Sequence, residues 1–502
     1  MRLNSLNLKN ISIHDPFWSK HVDLVRNAII PYQWEAMNDR IPDAESSHCL
    51  ENFEIAAGRK TGEFYGAVFQ DTDVAKWLEA VGFSLACYPD EALEKTADEV
   101  IDLIAEAQCE DGYINTYYTI KEPGKRWTDL CEGHELYTAG HLIEAAVAYY
   151  EGTGKNKFLD CVSKFADLIC DTFGTEEGKI HGYPESCASI GLALFGLRMA
   201  QITGESQYID VAERALYNTV LAGIALDGKR FFYVNPLEVW PPACMEGTSK
   251  KHVKPIRQKW FGVACCPPNI ARTLASLGQY IYAENSKKKE LYVNLFVSNE
   301  TELDWNENKI SVKLQTEFPW VNTYSLEIKN VPEGEMDLLL RVPDYAQDYQ
   351  VTADGNMYEE NKELEKGYRR VHVEKDTRIE VSFAAPAKFV YANPQVRADS
   401  GKAAIVRGPL VYCLEEIDNS QNLPAVFVDT DTALEEEKSD LFGGIVTVKA
   451  RGKKIVESSV SNSLYSGQKP QLEDVELTAI PYPYWNNRGE GEMLVWMKEL
   501  RP

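Results

Sequence analysis

Two hydrophobic rhythms divide the chain. From about residue 18 to 284 apolar positions recur at helical spacing. Leu93, Ala97, Val100, Ile101, Ile104 and Ala105 fall on one helical face, and Leu142, Ala145, Ala146 and Tyr149 on a face of the next long segment. From about residue 290 the rhythm becomes alternation, in LYVNLFVS, KISVKLQTE, YSLEIKNV, MDLLLRV, RRVHVEK and RIEVSF, with turn residues between the runs. Short alternating runs at regular spacing predict β-sandwich domains.

The helical part repeats. Residues 141–170 and 191–220 align at an offset of 50, with Thr153-Gly154 matching Thr203-Gly204, Phe158 matching Tyr208 and Asp160 matching Asp210. Each unit reads as a helix, a glycine-ended turn and a second helix. Repeated helical hairpins of this kind predict an α/α toroid. About nine helices precede the β region, fewer than the roughly twelve that close a six-hairpin barrel. The expected fold is multidomain α + β: an incomplete (α/α)6-type helical barrel followed by two β-sandwich domains. Its parts are residues 1–17, whose LNLKNISI stretch needs a sheet to pair with, a helical domain at 18–284, and β domains at 285–386 and 387–502. The stretch 385–402 reads as a linker or long connection between the β domains.

Composition narrows the partners. A net charge of −25 over 502 residues argues against nucleic acid and anionic membranes. No run reaches the roughly 18 apolar residues of a membrane helix, and the N-terminus has no apolar signal core. Eleven scattered cysteines then suggest free thiols in a reducing, cytoplasmic compartment, some of them available to a metal.

The sharpest local feature is Ala264-Cys265-Cys266-Pro267-Pro268-Asn269, ahead of a helical run. Proline suits a first helical turn, so the cysteines sit at a helix N-terminus, whose positive end favours a thiolate. The bland alternative is two small buried residues at a helix start. Tyr183-Pro184-Glu185-Ser186-Cys187 offers a carboxylate and a thiol that can both reach one ion, and zinc accepts both ligand types. By spacing alone the two motifs match no zinc-finger pattern. His134 and His141 lie two turns apart on one helical face, where either could be an ordinary buried imidazole. Aromatic residues crowd these motifs, suiting sugar rings and cores alike. Phosphate-binding glycine loops, a nucleophile elbow and HExxH are absent from the sequence.

These pieces resemble glycoside hydrolase family 127, the β-L-arabinofuranosidases. The resembling stretches are GRKTGEFYGAVFQDTDVAKWLEA (58–80), HELYTAGHLIEAAVAYYEGTG (134–154), ESCASIGLALFGLRM (185–199), ERALYNTVLAGIALDGKRFFYVNPLE (213–238), RQKWFGVACCPPNIARTLASLGQYIY (257–282), RGPLVYCLE (407–415) and AIPYPYWNNRGEGEMLVWM (479–497). The resemblance implies a retaining glycosidase acting on an arabinose-containing oligosaccharide or glycoside. It implies Zn2+ held by Glu185, Cys187, Cys265 and Cys266, with Cys265 as nucleophile and His134 lining the sugar pocket. Zinc ligation would keep the thiol deprotonated at neutral pH, and attack at the anomeric carbon followed by hydrolysis would give net retention. The chain departs from the family at one place: His181-Gly182-Tyr183-Pro184 runs straight into Glu185-Ser186-Cys187. The helices the family inserts there carry its general acid/base glutamate and further sugar-binding histidines, and no residue here inherits those roles. Glu176 and Glu177 lie nearby in sequence. Shortening near 182–185 leaves the toroid open on one side, with self-association as homo-oligomers an expected consequence. The competing readings are a catalytically impaired carbohydrate-binding relative with a structural zinc site, and an (α/α)-barrel enzyme of another chemistry such as an isomerase or unsaturated-uronide hydrolase.

Overall fold

In the computed structural model, residues 4–129, 133–172, 186–245, 247–248, 250, 253–262, 264–305, 308–331, 336–360, 362–393, 396–456 and 465–500 are described. The helices of the first half are α1 Trp18–Leu24, α2 Ile30–Met37, α3 Cys49–Ala56, α4 Asp71–Cys87, α5 Glu91–Ala107, α6 Thr116–Ile120, α7 Glu135–Thr153, α8 Lys157–Thr172, α9 Ser186–Thr203, α10 Gln207–Ala215, α11 Cys266–Ala275 and α12 Gly278–Ile281. The face read from α5 packs inward: Ala97, Val100, Ile101 and Ile104 are buried, as are Leu142, Ala145, Ala146 and Tyr149 of α7. Asp90 caps α5 by accepting from the Ala92 and Leu93 amides.

The internal repeat is visible in detail. Gly154 and Gly204 end α7 and α9 in the left-handed region, at φ +79° and +71°. In both copies the threonine before the glycine bonds back to its helix, Thr153 to the Tyr149 carbonyl and Thr203 to the Met199 carbonyl. Helix α4 is buried on nearly every side and packs along α7 and α11. Its contact with α7 is backbone to backbone. A Cβ at Gly82 would lie 2.7 Å from the Ala148 carbonyl carbon, and one at Gly152 would lie 2.3 Å from the Gly82 oxygen. Two glycines thus fix how these helices cross.

Three sheets follow. A five-stranded sheet runs in the order Asn4–Ser5, Tyr282–Asn285, Glu290–Val293, Met336–Arg341, Tyr368–Val373. A seven-stranded sheet runs Asn356–Met357, Gln347–Ala353, Thr377–Ala384, Thr323–Lys329, Asn308–Thr316, Asn299–Trp305, Ile11–Ile13. Its strands alternate strictly where one face is covered, as in Asn299–Trp305. The N-terminal segment therefore adds a strand to each sheet, Ser5 opposite Ala283 and Ile11 opposite Thr301. A ten-stranded sheet holds the C-terminal region.

Three features differ from the sequence reading. Among the described residues twelve α-helices precede the main run of strands where about nine were expected, because short ones such as Thr116–Ile120 and Gly278–Ile281 span too few turns to show a periodicity. The stretch 385–402 is no bare linker: Lys388–Tyr391 pairs antiparallel with Lys402–Arg407 as the first hairpin of the last sheet. Glu238–Val239, inside the expected helical domain, adds an edge strand to that same sheet beside Met493–Leu494. The helical region is also tied to the sheets by buried charge. The Arg341 guanidinium donates to Asp210 (2.6 Å) and to Glu213 of α10, and the Tyr345 hydroxyl donates to Glu213 (2.7 Å). Among the described residues no helix is long and apolar enough to cross a membrane.

Candidate active site

Cys265 and Cys266 open α11, with Pro267 and Pro268 in its first turn. Cys187 lies in the first turn of α9. The two helix starts meet: Cys187 Sγ is 3.5 Å from the sulfurs of Cys265 and Cys266, which lie 3.8 Å from each other. Around tetrahedral zinc, Zn–S bonds of about 2.3 Å place sulfurs roughly 3.8 Å apart. The spacing, the burial and the thiol chemistry therefore fit a zinc ion. Glu185, the fourth expected ligand, lies outside the described residues, as do Glu176, Glu177 and the 182–185 junction.

Without metal the trio shares charge unevenly. Cys187 is held well below the usual thiol range, first by its hydrogen bonds with Cys265 and Cys266, helped by Lys76 and Asn269 against the cost of burial. Cys265 is pushed up to about 11, chiefly by its hydrogen bond with Cys187. Cys266 is raised further, mainly by burial.

Residues that the sequence reading did not assign to the site surround the sulfurs. The Tyr233 hydroxyl lies 2.7 Å from Cys265 Sγ. Its ring meets Phe261 edge-on at 5.6 Å. Asp73, in the first turn of α4, accepts the Ala264 amide at 3.1 Å, while its buried Oδ1 has no hydrogen-bond partner. Burial pushes the Asp73 carboxyl up to about 7, with Lys76 opposing and Cys265 adding to the rise. One turn on, Lys76 is fully buried and donates to Thr72 Oγ1 (3.2 Å) and the Tyr137 hydroxyl (2.9 Å). In the sequence the pair stands only as two charges three residues apart among Val74, Ala75, Trp77 and Leu78, with nothing to name their partners.

His134 is the N-cap of α7 at φ +51°. Its ring stands 4.9 Å from Phe69 and 5.8 Å from Tyr137, centroid to centroid. Glu135 holds this helix start by accepting from the Tyr113 hydroxyl and the Trp127 amide (2.7 Å). His141 is kept neutral, its pKa lowered to about 2 by burial and then by Lys76 and Arg272. With Tyr137, Glu144, Leu194, Arg198, Glu79 and Arg272 it lines a cleft of about 400 Å³ between α7 and α9. Leu136 and Leu192, on these two helices, are exposed. A second group, Asp39, His48 and Glu51, also clusters within 4.8 Å. There His48 bonds Glu51 at 2.6 Å and Lys60 ion-pairs with Glu51.

Comparison with known proteins places these features in context. Residues 10–185 and 181–279 match the profile described as β-L-arabinofuranosidase, GH127 catalytic domain. Residues 290–386 match the GH127 middle domain, and 387–498 match the glycoside hydrolase family 127 C-terminal domain. A non-reducing end β-L-arabinofuranosidase of Bifidobacterium longum subsp. longum is 30% identical over 662 residues, spanning 97% of this chain and all of the relative. The crystal structure of a GH127 β-L-arabinofuranosidase from Geobacillus stearothermophilus T6 superposes with a TM-score of 0.91 at 38% identity, covering 98% of this chain and 100% of its own. A second solved GH127 β-arabinofuranosidase gives 0.85 at 27% identity, covering 99% and 98%.

Proposed function

Because the chain belongs to glycoside hydrolase family 127, the β-L-arabinofuranosidases, and is a glycoside hydrolase, we propose that it is a retaining β-L-arabinofuranosidase with Cys265 as nucleophile. The observation that carries this reading is the convergence of three cysteine sulfurs within 3.5–3.8 Å at two helix starts, with a tyrosine hydroxyl on one of them. Cys187, Cys265, Cys266 and Glu185 would hold zinc. Bound zinc would supply a deprotonated sulfur at neutral pH. Cys265 attacks the anomeric carbon, the Cys265 sulfur–carbon bond forms, and the bond to the aglycone oxygen breaks with its electron pair leaving on that oxygen. Water then attacks the same carbon, the sulfur–carbon bond breaks to return Cys265 as thiolate, and the proton that water gives up ends on the departed aglycone oxygen, for net retention. The Tyr233 hydroxyl faces the reacting sulfur throughout, and His134 contributes to the sugar pocket. The accompanying fold reading is an (α/α)6-type barrel at 18–284 with sandwiches at 285–386 and 387–502, supported by the domain matches. The free thiols favour a reducing compartment such as the cytoplasm, and an arabinose-containing glycoside is the partner. Trapping with a slow or mechanism-based arabinofuranoside, followed by peptide mapping, tests the assignment. The adduct is expected on Cys265, and an adduct on a carboxylate would overturn it.

A second reading, a hydrolase impaired at leaving-group protonation, is favoured by a specific pattern. The catalytic-domain match breaks at 181–185, and the alignment to the Bifidobacterium enzyme runs over 662 positions against 502 residues here. A lost stretch at 182–185 would account for both, and for the cleft between α7 and α9. The same opening is where two copies would self-associate.

A further inference from the structure

A buried ammonium that rests on neutral oxygens is costly, and such a lysine ordinarily gives up its proton. Lys76 is 0% exposed, and its hydrogen bonds go to the hydroxyls of Thr72 and Tyr137. Its ammonium also lies 5.0 Å from the centre of the Tyr137 ring. The nearest helical neighbour of opposite charge, Asp73, gives Oδ2 to the Ala264 amide. Yet Lys76 stays charged: burial pulls its pKa down, and Tyr137, Cys265, Cys187 and Asp73 together outweigh burial and raise it. The lysine is also placed with care. Asp73, one turn before it, is bonded to the residue preceding Cys265, so this face of α4 points toward the sulfurs. The glycine-to-backbone crossing of α4 and α7 sets Tyr137 against it.

We propose that Lys76 is the fixed counter-charge of the cysteine–glutamate metal site, and that Tyr137 is the arm that holds it there. Zinc bound by three thiolates and one carboxylate leaves a net charge of about −2 in a buried pocket. A buried cation of fixed position offsets part of that excess without occupying a ligand position, and so sets how tightly the metal is held. Lys76 is in this sense a positioning residue that acts through its charge, its own hydrogen bonds going to Thr72 and Tyr137. The inference rests on the zinc reading above.

The test is zinc affinity of the full chain, measured by competition with a chromophoric chelator, for wild type, Lys76→Met, Lys76→Arg and Tyr137→Phe, each checked for folding by circular dichroism. Lys76→Met is expected to bind zinc about 10- to 100-fold more weakly, in the range of outer-shell substitutions at metal sites. Lys76→Arg restores most of the affinity, and Tyr137→Phe shows a smaller loss in the same direction. A merely structural role would cost stability in the methionine and arginine variants without ordering their zinc affinities by charge. Wild-type affinity in folded Lys76→Met overturns the proposal. Should that variant not fold, the decision passes to Tyr137→Phe, and wild-type affinity there overturns it. A wild-type protein that holds no zinc overturns the metal reading itself, and this inference with it, which separates the two failures.

Discussion

Tyr233→Phe removes one oxygen and nothing else. The ring is held by its edge contact with Phe261, and the preceding Phe231 is bonded through its backbone to Gln258, so the phenylalanine ring should stay in place. What is lost is the 2.7 Å contact between the hydroxyl and Cys265 Sγ. A hydrogen bond to a charged group contributes ~1.5–3 kcal/mol. At 1.36 kcal/mol per factor of ten, that is about 10- to 150-fold in a rate that depends on it fully. The dependence differs between the two half-reactions. In the proposed mechanism, as Cys265 attacks, negative charge leaves the sulfur and the bond weakens. When water displaces Cys265, charge returns to the sulfur and the bond strengthens. Loss of the hydroxyl therefore slows release of the sugar from the enzyme more than its capture. With an activated aryl β-L-arabinofuranoside, whose leaving group departs readily, stopped-flow absorbance should show a burst of about one equivalent of phenol in Tyr233→Phe. Steady-state kcat should fall about 10- to 100-fold. A kcat within about threefold of wild type and no burst would refute the argument that this hydroxyl supports the departing thiolate.

Two further outcomes are expected. Arg341→Met strands Asp210 and Glu213 as buried carboxylates without their cation, and breaking a buried pair of this kind costs about 3–5 kcal/mol. The urea midpoint should drop accordingly, and an unchanged midpoint would show that the α10–sheet junction carries little stability. If the stretch lost near 182–185 took the general acid with it, activity on an alkyl arabinoside should fall about 10²–10⁴-fold further than activity on an activated aryl arabinoside, relative to full-length relatives. Equal efficiency on both would show that another group protonates the leaving oxygen.

The helices were legible where one face is apolar, as in α5, and the hairpin repeat was legible because its glycines must adopt positive φ whatever surrounds them. The strands of the middle region were legible from their alternation. The hairpin at 388–407 was not, because Pro386, Pro394 and the polar run to Lys402 carry turn chemistry that outweighs a four-residue edge strand. At the site, the cysteines announced themselves through the paired prolines that start α11. Asp73 and Lys76 did not, because a charge inside a buried helix has meaning only once its partner, from a segment far away in sequence, is known. Tyr233 was one aromatic residue among many until its hydroxyl was placed against a sulfur.

The placement of the sulfurs also explains why the metal site and the acid should respond differently to a shortened barrel. Cys187 stands in the first turn of α9, Cys265 and Cys266 at the start of α11, and Asp73 in the first turn of α4. Helix N-termini carry partial positive charge, so the same ends that assemble the cluster also favour its thiolate form. Helices α9 and α11 pack on each other, and α11 packs on α4. On the reading that a hairpin is lost between α8 and α9, the cleft beside α7 and α9 marks its place, and the sulfurs still meet at 3.5 Å. On that reading the proposed nucleophile and metal ligands Cys187, Cys265 and Cys266 belong to the packed helix starts, whereas a general acid carried by the inserted stretch would be lost with it. That asymmetry is why the identity of the leaving group, more than the presence of metal, is the sharper probe of what this chain can still do.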